Sequence, residues 1–250
     1  MKCYCFGSSS AGNCYVLSLE GATSPLMVEC GVEWKKVVKQ AVENGVDLSA
    51  INACLITHAH QDHCRAWKDA NLNGIKLCAS KDTLDILGAT GQELECDSPN
   101  SIGNGYYVLP FMVIHVIAGA YGFVIKTSKE CVIFVNDNKG WIGNLKSFKP
   151  DYVFMECNYY DLQVEADVKH AKKIAESGVG GEEGRKAHND LKLLSRNLDS
   201  HSSLVDTAKN LENLNLTNCK GIFLMHLSNR YANEYEMKNL IKNKFFHFIF

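Results

Sequence analysis

The residues with the most chemistry per unit length are His58-Ala59-His60-Gln61-Asp62-His63. Four groups able to bind a metal fall within six positions. They are three imidazoles and a carboxylate, donors that borderline divalent ions accept. Alternate residues of an extended loop point the same way, so His58 and His60 can meet one ion. Asp62 and His63, where the chain turns into a helix, can face a second point nearby. One loop can thus serve two ions, and such a pair steadies the attacking and leaving oxygens of an in-line displacement. The plainer alternative is a histidine-rich surface loop. With 9 histidines in 250 residues, this spacing arises by chance on the order of once in a thousand such chains.

A site of this kind needs a frame. Residues 51–57 form a short apolar run, the pattern of a strand buried on both faces, and the loop follows it directly. Before it, 3–6, 13–19 and 26–30 read as strands separated by glycine-containing turns, and 32–44 as a helix that stops before Gly45. After it, 64–70 reads as a helix, 75–79 as a strand, and Ser80 is placed to cap a helix over 81–87. Further strands are expected at 106–109, 111–117, 121–126, 131–136, 152–156 and 222–227. The pattern is helical from 164 to 214, with a glycine-rich break at 178–184, and again over 233–243. The apolar ending 245–250 reads as a last strand packed on the body. With no linker and no repeat, the expectation is one α/β domain over residues 1–250.

A hydrophobic fraction of 46% with 22% charged residues and 4 Pro describes a folded globular chain, not a disordered one. The net charge of −2 lacks the basic excess by which proteins grip long nucleic acid through its backbone. Lysines 35, 36 and 39, then 169, 172 and 173, then 238, 242 and 244 sit at helical spacing and read as solvated faces. Eleven cysteines at irregular spacing, with Cys54, Cys78 and Cys131 inside apolar runs, read as buried thiols in a reducing compartment. Cys3-Tyr4-Cys5 is the one short-spaced cysteine pair, and it is not read as a zinc pair. No secretory signal is visible, and no apolar stretch approaches the roughly 20 residues that span a bilayer. The expectation is a cytoplasmic protein with no membrane partner.

Residues 58–63 resemble the HxHxDH signature of the metallo-β-lactamase superfamily. Gly7-Ser8-Ser9-Ser10-Ala11-Gly12-Asn13-Cys14 resembles the opening of its WalJ (YycJ) group. Leu26-Met27-Val28-Glu29-Cys30-Gly31 resembles the superfamily's "LiDaG" strand, and Ile56-Thr57 its approach to the histidine loop. The resemblance runs to about residue 240. It implies a metallo-β-lactamase-like αββα sandwich, two mixed β-sheets with helices on the outer faces, and two divalent metal ions, Zn or Mn. By that resemblance His115 joins His58 and His60 at the first ion, Asp137 bridges, and His226 completes the second site with Asp62 and His63. Taken alone, His115 and His226 would more often be core histidines, while Asp137 would be a turn residue or a ligand with equal weight. His201, in Ser200-His201-Ser202-Ser203, is implied to bind phosphate or protonate a leaving oxygen. The plainer reading there is that Ser200 or Ser202 caps a helix over 204–214. His188 competes for the same role, while His170 and His247 look incidental. Glu156 and Asn158 are implied to orient a metal ligand. The chain departs from the family's pattern with Glu at 29, Val at 116, and Asp137-Asn138-Lys139-Gly140 where "DTG" is usual.

The function so implied is dinuclear-metal hydrolysis of a phosphodiester in nucleic acid, of the WalJ-like exonuclease kind, with metal-activated hydroxide attacking phosphorus. Asp62, Asp137 and His201 are the catalytic candidates, and nucleic acid or a nucleotide is the expected partner. A cyclic-nucleotide or other small-molecule phosphodiesterase is the alternative that the acidic balance suits better. Lactam or thioester hydrolysis is disfavoured by the intact Asp62-His63 pair. A metal-binding protein without activity is disfavoured because all seven ligands are present. The sequence leaves the oligomeric state open, a homodimer included.

Overall fold

The computed structural model describes residues 1–176 and 181–245. Its apolar runs pair into two six-stranded sheets. The first contains β1 (Lys2–Ser9), β2 (Gly12–Ser18), β3 (Leu26–Val28), β4 (Ala53–Leu55), β5 (Lys76–Ala79) and β6 (Gln92–Glu93), side by side in chain order. Antiparallel hairpins give way to parallel pairing at β3, because each later strand returns through a crossover. The second sheet contains β7 (Asn100–Gly103), β8 (Tyr106–Met112), β9 (Tyr121–Lys126), β10 (Cys131–Val135), β11 (Tyr152–Glu156) and β12 (Gly221–Met225). It is antiparallel from β7 to β10 and parallel from β10 to β12.

Between the sheets, Tyr15, Leu17, Leu26 and Leu55 bury against Tyr106, Val108, Phe123, Phe134 and Phe154. Helices α1 (Trp34–Glu43), α2 (Gln61–Cys64), α3 (Trp67–Leu72) and α4 (Lys81–Leu87) cover the outer face of the first sheet through Val37, Ala41, Cys64, Ala70 and Leu84. Helices α5 (Asp161–Glu176) and α6 (Gly181–Ser200) pack on each other. They dock through Val164 and Leu194 onto Tyr159 and Tyr231. Helices α7 (Leu204–Glu212) and α8 (Glu234–Phe245) cover the second sheet through Leu204, Leu211, Met237 and Ile241. The layers are helix, sheet, sheet, helix, the α/β sandwich of two mixed sheets that was expected.

Several boundaries differ. The strand at 106–109 does not stop at Pro110: β8 runs through it to Met112. The Pro110 carbonyl accepts from Asp97 on the side away from β9, so the missing N–H also faces outward and costs no ladder bond. The strand expected at 111–117 therefore ends early, and His115 sits in the following loop. The helix expected at 64–70 is two, α2 and α3, and β6 and β7 were not anticipated. Phe245 ends α8 instead of opening a strand, and residues 246–250 of that expected strand lie outside the described residues. All eleven cysteines are free thiols. Among the described residues, no helix is long and apolar enough to cross a membrane.

Candidate metal centre

Strand carboxyl ends deliver the site, where pairing stops and side chains are free to converge. β3 leads to Glu29, β4 to the 58–63 loop, β8 to His115, β10 to Asp137, β11 to Glu156 and Asn158, and β12 to His226. Glu29, Asp137 and His226 adopt positive φ, 62°, 43° and 54°, within two residues of their strand ends. Each such turn costs on the order of 1 kcal/mol or more for a non-glycine residue, and surrounding packing must hold it. That packing is visible at Gly31. A Cβ there would fall 1.7 Å from Asp62 O, so only glycine lets the two backbones approach. Alongside it, Cys30 N donates to His63 O at 2.8 Å and Ala66 N to Cys30 O at 2.8 Å. Buried Asn13 donates from Nδ2 to Asp62 O at 3.2 Å and to Ser9 O at 3.1 Å.

All seven expected ligands come together, in two groups that share Asp137. In the first, His58 Nε2 lies 2.9 Å from His60 Nδ1, which lies 3.3 Å from His115 Nε2. Asp137 Oδ2 stands 3.8 Å from His58 Nε2 and 3.9 Å from His115 Nε2. In the second, His63 Nε2 is 3.4 Å from Asp62 Oδ2 and 3.3 Å from Asp137 Oδ2. His226 Nε2 is 3.3 Å from Asp62 Oδ2 and 3.4 Å from Asp137 Oδ1. Neighbouring ligands of a tetrahedral ion bonded at ~2.1 Å stand about 3.4 Å apart, so both groups fit a divalent ion. Asp137 Oδ1 is buried without a hydrogen bond, an acceptor that a divalent ion would satisfy. Thr57 Oγ1 donates to Glu29 Oε1 at 2.5 Å and lies 2.9 Å from His58 Nδ1. With its proton committed to Glu29, the hydroxyl accepts from His58 Nδ1–H, which leaves the Nε2 lone pair facing the cluster. Glu29, fully buried, also stands 3.3 Å from His63 Nδ1.

Burial, with the positive His63 beside it, holds His58 well below the usual imidazole range. Burial likewise pushes His115 down to about 4. Burial would depress His63 too, but the carboxylates of Asp137 and Glu29 outweigh it and hold this ring above its ordinary value. Burial opposes ionisation of Asp137 and Asp62, yet the neighbouring histidines hold both carboxyls below the usual range. The metal-free cluster therefore keeps its acids as anions and most of the first group as neutral imidazoles, the forms that bind metal.

His201 lies between α6 and α7 at the edge of the cluster, 3.9 Å from Asp137 Oδ2. Its Nδ1 is 2.6 Å from Glu156 Oε1, and this pairing outweighs burial and raises the ring to about 9. The helix cap is Ser203, boxed with Asp206, and not Ser200 or Ser202. The Ser202 hydroxyl instead bonds Asn138 O. Glu156 accepts from Asn138 N at 2.7 Å, so it ties His201 to the Asp137 turn. Asn158 Nδ2 lies 2.9 Å from His226 Nδ1 and donates to its carbonyl at 2.8 Å. Two residues that make site contacts escaped sequence reasoning. Ser8 Oγ accepts from His226 N at 3.0 Å, and Lys139 Nζ donates to His201 O at 2.8 Å and Asp206 Oδ2 at 2.7 Å. Ser8 lies in the 7–14 motif, which was a signal without a role, whereas Lys139 stood out only as a departure. His170 and His188 are exposed on α5 and α6 away from the cluster, and His247 lies outside the described residues.

No protein-family model matches this chain, and no curated protein matches its sequence. Solved structures do resemble it. YhfI from Bacillus subtilis, described as a metallo-β-lactamase fold protein, covers 99% of this chain and 94% of its own at 14% identity, with a TM-score of 0.70. A diphosphatase of the PhnP family gives 0.63 at 14% identity, covering 95% of this chain and 90% of its own. Human tRNase Z, short form, gives 0.61 at 17% identity, covering 92% and 94%. At such identities the likeness is one of architecture: the chain has the metallo-β-lactamase fold.

Proposed function

We propose that the chain is a dinuclear-metal hydrolase of phosphodiesters in nucleic acid, grouped with WalJ-like proteins by its 7–14 segment. The observation that carries this reading is Asp137, shared between two histidine-rich donor groups, with the His201–Glu156 pair at their edge. His58, His60, His115 and Asp137 would hold one ion, and Asp62, His63, Asp137 and His226 the other. Two divalent ions, Zn or Mn, would supply there a water nucleophile at neutral pH and offset charge at phosphorus. Asp137 and Asp62 fix the spacing of the two groups. His201, charged through Glu156, has its other ring N–H to give to a leaving oxygen. A third donor grouping, Asp137, Glu156, His201 and His226, would have to break the 2.6 Å His201–Glu156 pair, so we read it as the acid and not as a metal site. Two of the similar structures are named as a tRNase and a diphosphatase, which fits phosphorus chemistry.

The net charge of −2 favours a second reading, a cyclic-nucleotide or other small phosphodiester as substrate. Turnover of bis-p-nitrophenyl phosphate with Mn²⁺ or Zn²⁺ tests the reaction type. Product analysis on end-labelled DNA, RNA and cyclic nucleotides then separates the substrates. Protein shown to hold two ions but inert on that ester would refute the reading.

A further inference from the structure

The cleft over the cluster, about 1040 Å³, extends well beyond the donor groups. One wall is α6, which presents Lys192, Ser195 and Asp199. Steps of three and four residues place them on one helical stripe. That stripe climbs about 10 Å from Asp199, close in sequence to His201, to Lys192 at its outer end. The facing wall is the segment after β12, including Arg230 and Tyr231. The two walls are locked together: Leu194 and Tyr231, only 2% and 1% exposed, share one buried cluster. Tyr160 N also donates to Tyr231 O at 2.8 Å. Each locked residue is next or next but one in sequence to a cation, and Lys192 and Arg230 line the same opening. The Arg230 guanidinium lies 5.2 Å from the Tyr231 ring centroid. Apart from the metal-binding group and the charged His201, the formally charged lining residues are Lys192, Arg230 and Asp199, with the acid at the inner end.

We infer that Lys192 and Arg230 form a second anion subsite, for a phosphate carried beyond the scissile one. The inference rests on the phosphodiesterase reading and narrows its substrate class to an oligonucleotide or nucleic-acid strand. A cyclic mononucleotide has a single phosphate, which the metals would occupy, and would leave this subsite empty. A local pair of cations in a cleft draws polyanions even where the whole chain is slightly acidic.

The test is fluorescence anisotropy with metal-loaded full chain and a labelled five-nucleotide oligothymidylate, phosphorothioate-linked to slow cleavage. Lys192→Gln combined with Arg230→Gln should weaken binding about tenfold or more. It should also reduce the slope of log affinity against log salt by about 0.7, the share of one phosphate contact on a single strand. Thymidine 5′-monophosphate, which probes only the inner end, should be weakened less, and Arg230→Lys should recover most of the salt slope. Equal weakening of both probes, or an unchanged slope, overturns the subsite. Turnover of bis-p-nitrophenyl phosphate by the wild type keeps the two ideas apart. If that turnover is missing while oligonucleotide binding still depends on the two cations, the phosphodiesterase reading fails and the anion subsite stands.

Discussion

Lys139 offers the sharpest test of how the His201 loop is held. Its ammonium bridges the turn after Asp137 to His201 O at 2.8 Å and Asp206 Oδ2 at 2.7 Å, with the two side chains 25% and 31% exposed. The partly screened ion pair contributes about 0.5–1 kcal/mol. A charged donor on a backbone carbonyl contributes about 1.5 kcal/mol. Lys139→Met removes both bonds, together with the ammonium that stands 5.8 Å from the Tyr159 ring centroid, a loss of about 2 kcal/mol in the order of that loop. Asp206 keeps its bond from Ser203 N at 3.2 Å, so α7 still starts in place. If all of the loss falls on the placement of His201, kcat drops by up to about 30-fold, since 1.36 kcal/mol is a decade. The drop should appear on thymidylyl-thymidine, whose leaving alkoxide needs a proton. It should be much smaller on bis-p-nitrophenyl phosphate, whose phenolate does not. Metal content and melting temperature complete the assay, with Tm lowered by about 4–8 °C. Wild-type kcat on the dinucleotide, in a variant carrying wild-type metal, would refute the argument.

Three further outcomes are expected. Asp137→Ala should lose both ions by elemental analysis and all turnover; retention of either ion at wild-type stoichiometry would end its bridging role. Gly31→Ala puts a Cβ 1.7 Å from Asp62 O, so it should destabilise the fold by about 1–3 kcal/mol and weaken metal binding, and an unchanged Tm would contradict the close approach. His63 is held above its ordinary pKa in the metal-free protein, so at pH 7 it carries a proton that an incoming ion must displace. Calorimetry in two buffers of different ionisation enthalpy should find at least one proton released per protein, with metal affinity falling as pH falls; no release would show the reasoning wrong.

What the chain displays openly is local. The 58–63 loop announces itself because four ligands lie in six residues, and the strand before it because its apolar run is continuous. The order of strands and helices is legible for the same reason, since periodicity is a short-range property. The failures occur where a local rule meets a tertiary exception. Pro110 looks like a strand end, yet its imino nitrogen faces an edge that asks for no donor. Val113, His115 and Ile117 keep a strand's alternation, but Ile114 and Val116 are 52% and 66% exposed and only Val113 bridges to Trp141. Ser203 could have been found, because Ser203-Leu204-Val205-Asp206 is a capping box in sequence.

Other features had no local signal at all. Glu29, Asp137 and His226 take left-handed conformations that glycine or asparagine would have advertised. Non-glycine residues persist there only where the surroundings over-determine them, and such conflicts gather at functional sites. The Glu156–His201 and Lys139–Asp206 pairs span 45 and 67 residues, distances over which sequence pattern carries no information. The first pair ends on the short connection between α6 and α7 and the second in the first turn of α7, and both begin beside a metal-binding strand end. Placement of His201 is thus a product of the assembled sandwich, not of its own segment. Substitutions in the Asp137 turn should accordingly disturb proton delivery before they disturb folding.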